Sequence, residues 1–142
     1  MAIQWTEELG TGVDMIDNQH KELFKRINDL LDACGQGKGI EEVGKIIGFL
    51  EDYVVTHFST EEKYMTQYDY PDQLTHKGQH RHFINNFSDL KKQFETDGAG
   101  VHIVILTNRV VVDWLNSHIR KVDKALGTFL KPLFKPQDVE PV

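Results

Sequence analysis

Two pairs of polar residues sit four apart in this chain: His57 and Glu61 in "HFSTE", and His76 and His80 in "HKGQH". Four residues is little more than one turn of an α-helix, so each pair projects from one face as a two-donor claw. Both pairs lie in stripes that are otherwise apolar. Imidazole and carboxylate groups in such places either trade protons or hold a metal ion, and both uses need partners from other segments. His20 and His118 qualify, since each occupies a stripe position where a core side chain is expected. A lone inward histidine is ordinarily a hydrogen-bonded core residue. His20, His57, His76, His80 and His118 together, left unpaired, would cost on the order of several kcal/mol apiece in lost hydration. A cation that accepts all of them removes that cost.

The elements that must carry these groups follow from the punctuation. Turn signals at Gly35–Gly39 ("GQGKG"), Tyr70-Pro71 and Gly98–Gly100 ("GAG") leave four segments between them. The first carries Ile16, His20, Leu23, Phe24, Ile27, Leu30 and Leu31 at helical spacing, with Asp17 as its expected N-cap. The second carries Val43, Ile46, Ile47, Leu50, Val54, His57 and Glu61; the third His76, His80, Phe83, Phe87, Leu90 and Phe94. The fourth gives Val104, Thr107, Val111, Trp114, Leu115, His118 and Val122. Its β-branched run has strand propensity, but its length and seven-residue recurrence favour helix. The fold class is therefore all-α. Long helices with short connections predict an up-down-up-down antiparallel four-helix bundle. One domain is expected, with an N-terminal arm over about residues 1–16, the bundle over about 17–124 and a short C-terminal segment over about 125–142. Leu126, Phe129, Leu130, Leu133 and Phe134 make that last segment apolar enough to fold back over the bundle.

Chain direction then brings the polar groups together. His20, His76 and His80 begin their helices, whereas His57, Glu61, His118 and Asp123 end theirs. In an up-down bundle those starts and ends share one end, within a slab of roughly 12 Å at about 1.5 Å rise per residue. Asp123 is the awkward member: five residues from His118 is about 140° of α-helical rotation, so spacing alone does not nominate it. His82 and His102 are rotated away from the shared face and are expected at the surface.

Composition narrows the field. A net charge of −6 over 142 residues argues against a nucleic-acid surface. No apolar run approaches the roughly 18 residues of a membrane span, so membrane insertion is not expected. The start "MAIQWTEELGTG" lacks a basic stretch followed by an apolar block, and the single Cys34 offers no internal disulfide; the cytoplasm is the expected compartment.

The pattern H…HxxxE…HxxxH…HxxxxD, here His20, "HFSTE", "HKGQH" and "HIRKVD", resembles the hemerythrins, specifically the single-domain bacterial kind. "GVDMIDNQHKELF", "EEKYM…YP" and "WLNSHI…D" are similar to the family as well, and the likeness runs over roughly residues 1–131. It implies a non-haem di-iron centre with an oxo or hydroxo bridge and with O2 as its ligand. By that resemblance His76, His80 and His118 hold one iron, His20 and His57 the other, and Glu61 and Asp123 span both. With that bridge counted, two six-coordinate irons keep one open position, on the iron with two histidines, which is what a dioxygen binder needs.

The implied function is reversible dioxygen binding for transport, storage or delivery to an oxygen-consuming enzyme, rather than catalysis. Histidine-rich donation suits iron and gives less support to high-valent chemistry than the oxygen-rich sites of carboxylate di-iron enzymes. Peroxide or nitric oxide turnover and iron storage at the same site compete with that function, and so does oxygen sensing, which would require a separate partner. Leu23, Phe58, Trp114, Leu115 and Ile119 lie within a turn of His20, His57 or His118 and are expected to line the oxygen pocket, with plain core packing as the competing reading. A monomer is expected.

Overall fold

The computed structural model describes residues 3–134. Helix α1 runs over Asp14–Gly35, α2 over Ile40–Gln67 and α3 over Gln73–Asp97. The fourth helix, α4, occupies residues 101–130 and is composite. Turns of α-helix at Val101–Thr107, Asp113–His118 and Lys124–Leu130 alternate with π-helical turns at Asn108–Val112 and Ile119–Asp123, and the backbone stays right-handed helical through every junction. Single 3-10 turns at Glu7–Leu9 and Lys131–Leu133 flank the bundle.

The helix ends follow local chemistry. Asp14 and Asp17 in the first turn of α1, and Glu41 and Glu42 in that of α2, set negative charge against the positive ends of the helix dipoles. Gly37 (φ 71°) turns the chain between α1 and α2, and Gly98 (φ 77°) ends α3; both hold left-handed backbone that suits glycine. Asp17 is not the N-cap of α1, which starts three residues earlier behind Val13. Its carboxylate instead accepts from the backbone N–H and the hydroxyl of Thr11, both at 2.8 Å, and so ties the N-terminal arm to the helix.

α1 packs on α2 and α4, and α3 on α2 and α4, which closes the antiparallel ring. The first and third stripes are buried as the spacing predicts. The fourth is not. Val104, Trp114 and Val122 are only half-buried, and the core positions are Ile103, Thr107, Val111, Leu115, Ile119 and Asp123, one every four residues. A pure α-helix would drift about 40° at each such step, about 200° over the series. Each π turn absorbs one extra residue, about 100°, so two of them keep this face inward.

Among the described residues two apolar clusters fill the interior. The larger runs from Leu23, Phe58, Phe83, Leu115 and Ile119 away to Leu30, Val43 and Phe94. The smaller comprises Val13, Ile16, Tyr64, Met65, Tyr70, Leu126 and Leu130. The polar slab lies between them. The ligand candidates are thus near one end of the bundle yet sealed on both sides. The seal is made differently from the expected fold-back: α4 continues to Leu130 and lays Leu126 and Leu130 on the smaller cluster. Phe134 reaches Tyr64 and Tyr68, with ring centroids 5.2 and 5.6 Å away. The rest of the expected C-terminal segment, from 135 onward, lies outside the described residues. The arm crosses α4 at Gly127, where a Cβ would overlap the Thr11 carbonyl oxygen.

Candidate metal centre

All seven predicted groups meet. His20, His57, Glu61 and Asp123 are fully buried, and His76, His80 and His118 nearly so. Each of these five histidines turns Nε2 inward. Oε2 of Glu61 and Oδ2 of Asp123 face the α1–α2 side: His20 Nε2 is 2.9 Å from Asp123 Oδ2 and 3.9 Å from Glu61 Oε2, and His57 Nε2 is 3.5 Å from Glu61 Oε2. Oε1 and Oδ1 face the α3–α4 side. His76 Nε2 lies 3.4 and 3.1 Å from them, His80 Nε2 3.0 Å from Glu61 Oε1, and His118 Nε2 3.0 Å from Asp123 Oδ1. The atoms form two overlapping donor groups: Glu61, His76, His80, His118 and Asp123 in one, and His20, His57, Glu61 and Asp123 in the other.

Among the described residues the five Nε2 atoms and the four carboxylate oxygens are buried with no hydrogen-bond partner outside their own cluster. That many orphaned polar atoms in one place contradicts ordinary core design. Their spacing fits ligand atoms around a shared ion, which at about 2.1 Å from its donors sets neighbouring ligands about 3.0 Å apart. The donor set therefore fits metal.

Asp123 reaches the site because of the second π turn. Over Ile119–Asp123 the chain takes about one extra residue per turn, so five residues return Asp123 to the face of His118. α-helical geometry alone could not place it.

Sequence reasoning missed the groups that orient the ligands. His57 Nδ1 donates to Gln19 Oε1 (2.8 Å), His118 Nδ1 to Gln79 Oε1 (2.9 Å) and His80 Nδ1 to Glu62 Oε2 (2.9 Å). Holding the ring proton on Nδ1 leaves Nε2 free for a metal. Each acceptor is the sequence neighbour of one ligand but serves another on a different helix: Gln19 precedes His20, Gln79 precedes His80, and Glu62 follows Glu61. One residue is about 100° of helix, so a polar side chain beside an inward ligand aims at the adjoining helix. That offset is the signal that could have found them. Two aromatic rings also brace the imidazoles: Phe58 stacks on His80 (centroids 3.8 Å, interplanar 5°) and Trp114 on His118 (4.3 Å, 13°).

Burial and charge set the metal-free protonation pattern. Desolvation, with neighbouring histidines, drives His57 well below its usual range and His80 down to about 2. The His80–Glu62 contact is thus a neutral ring donating to a carboxylate. Desolvation also opposes charge on His76, but Asp123 and Glu61 together overcome it and hold its pKa at about 9. Burial and the nearby Asp123 raise Glu61. Asp123 is lowered in spite of its burial, because His118, His20 and His76 surround it. His82 is exposed, as expected, with Nε2 3.1 Å from Asn86 Nδ2. His102 is not a surface residue: it is half-buried, and its Nε2 is enclosed without a partner among the described residues. Cys34 is half-buried near the far end of α1.

The model of the hemerythrin HHE cation binding domain matches residues 11–130. The chain belongs to the hemerythrin family. Hemerythrins are known for reversible dioxygen binding at a di-iron site, as carriers rather than enzymes. The bacteriohemerythrin of Methylococcus capsulatus is 42% identical over 127 residues, covering 89% of this chain and 95% of that protein. The bacteriohemerythrin of Pseudomonas aeruginosa strain PAO1 is 37% identical over 84% of this chain and 75% of its own. A wild-type hemerythrin crystal structure superposes with a TM-score of 0.82 at 39% identity, covering 92% of this chain and 99% of the other. In this hemerythrin no helix among the described residues is long and apolar enough to cross a membrane.

Proposed function

We propose that this hemerythrin binds dioxygen reversibly at a non-haem di-iron centre held by His20, His57, Glu61, His76, His80, His118 and Asp123. The observation that carries the reading is the pair of donor groups sharing both carboxylates, each of which turns one oxygen to either side. One carboxylate with its two oxygens facing two histidine sets suits two ions and is redundant for one. Two ferrous ions held there would supply the electrons that reversible oxygen binding draws on.

The chain's own part is to hold the donors and exclude water. Gln19, Gln79 and Glu62 keep protons on the outer ring nitrogens. Leu23, Phe58, Leu115 and Ile119, all buried, and the half-buried Trp114 close the site on the side of the larger apolar cluster. We assign these five to the oxygen pocket. Their side chains offer no carboxyl, imidazole or ammonium proton, which favours release of the ligand over its conversion. The role is transport, storage or delivery of oxygen to a consuming enzyme, without turnover. We read the chain as one domain acting as a monomer in the cytoplasm, in keeping with the free Cys34.

Iron analysis of protein from iron-replete cells should give two irons per chain. The reduced protein, titrated with O2 and then deoxygenated, should gain and lose an ultraviolet–visible band reversibly. One metal per chain, zinc under the same conditions, or a spectrum that does not return would overturn the reading.

A further inference from the structure

The outer partners of the site histidines are not equivalent. His57 and His118 donate to the neutral amide oxygens of Gln19 and Gln79, whereas His80 donates to the carboxylate of Glu62. Glu62 extends from α2 to α3 and its side chain is 37% exposed, so the charge sits at the boundary between solvent and a buried ligand. Phe58, stacked flat on the His80 ring, fixes the plane in which Nδ1–H points at Glu62.

Hydrogen bonds to a charged acceptor are stronger than those to an amide. A carboxylate behind a ligating imidazole raises the basicity of the opposite nitrogen. Nε2 of His80 is consequently the most electron-rich of the three anchored donors, and it belongs to the group of His76, His80 and His118. Among the described residues the group containing His20 and His57 has only the neutral Gln19 behind it.

We propose that Glu62 is a positioning and tuning residue whose negative charge, transmitted through His80, lowers the reduction potential of the metal on the three-histidine side and makes the two halves of the centre electronically unequal. This rests on the di-iron reading above. An electron-rich donor favours the more oxidised metal, so Glu62 strengthens oxygen binding, which draws electrons from the centre, and also hastens oxidation on standing.

The test separates charge from anchoring. Glu62→Gln keeps an acceptor of the kind Gln19 and Gln79 provide and removes only the charge; Glu62→Ala removes both. Iron content, thermal midpoint, reduction potential by spectroelectrochemistry and oxygen half-saturation are measured for each. For Glu62→Gln we expect two irons and an unchanged midpoint. The potential should rise by the equivalent of at least threefold in the ferric-to-ferrous equilibrium constant, with oxygen half-saturation rising in step. The converse variant, Gln79→Glu, should lower the potential, and it keeps the question open to measurement if Glu62→Gln fails to fold. Two irons with potentials unmoved in Glu62→Gln, or in Gln79→Glu where it alone folds, would overturn this inference and leave the di-iron reading standing. A wild type without two irons would overturn both.

Discussion

At the scale of single residues, the site is decided by which nitrogen each histidine turns inward. His80 and His118 are held by a hydrogen bond on one edge and an aromatic ring on one face, so their Nε2 atoms have little freedom. His82, two residues from His80, is exposed, and its Nε2 meets Asn86 on its own helix rather than the site. His80→Ala and His118→Ala should each lose most of the bound iron, because each deletes a donor and leaves buried neighbours unpaired. The unpaired groups should lower stability by about 1–3 kcal/mol. His82→Ala should retain full iron and change stability by less than about 0.5 kcal/mol. Metal analysis with denaturant melts checks both parts; iron loss in His82→Ala equal to that in His80→Ala would mean that the ligand assignment is wrong.

At the scale of elements, α4 is the unusual one. From Ile103 to Asp123 a buried residue recurs at every fourth position, and two π turns supply the extra residues that such a period demands. A π turn behaves as a one-residue insertion that leaves its flanks in phase. Deleting the exposed Arg120 from Ile119–Asp123 should therefore let that turn close as ordinary α-helix, with His118 and the carboxylate four residues apart and iron still bound. α3 contains no such turn. Deleting Lys77 there should rotate His76 by about 100° relative to His80 and abolish iron binding. Iron content of the two deletion variants, with helicity by circular dichroism, gives the answer. Equal loss in both would show that the π turn does more than absorb a residue.

At the scale of the whole molecule, a slab of charge-capable groups is enclosed between two apolar clusters, and stability becomes tied to protonation. His57 and His80 have folded pKa values below their usual 6.5, so the metal-free protein loses stability as pH falls below that value, where the unfolded chain takes up protons that these rings refuse. His76 is raised to about 9, so its contribution is full below 6.5 and is lost as pH rises through 9. Glu61 is raised above its usual 4.5, so its contribution declines as pH rises past that value, but between 4.5 and 6.5 the two rings outweigh it. Asp123 is lowered, and its contribution is lost only as pH falls below 3.8. The metal-free protein should accordingly be most stable near pH 6.5. Bound metal removes the alkaline limb, since His76 then carries no proton on Nε2, and adds stability through binding to the folded state alone. Thermal midpoints from pH 5 to 10, with and without iron, measure this; a metal-free midpoint that keeps rising to pH 9 would contradict the protonated His76.

The residue types and their spacing were sufficient, by themselves, to determine an all-α bundle and to bring His20, His57, Glu61, His76, His80 and His118 to one end of it. Amphipathic period and chain direction are local and additive, so they can be read from a string. The resemblance to hemerythrins nominated Asp123, which spacing could not. The tertiary structure decided what depends on contacts between helices. The π turn that returns Asp123 to the site exists because packing α4 every four residues outweighs the ideal hydrogen-bond ladder, a trade invisible in one segment. The pairing of Gln19 with His57, Gln79 with His118 and Glu62 with His80 crosses from helix to helix, where only the rotation of each helix against its neighbour sets the partner. The closure over the metal slab by Leu126 and Leu130 was likewise decided in three dimensions, because burying them on Ile16 and Met65 requires all three helices to be in place.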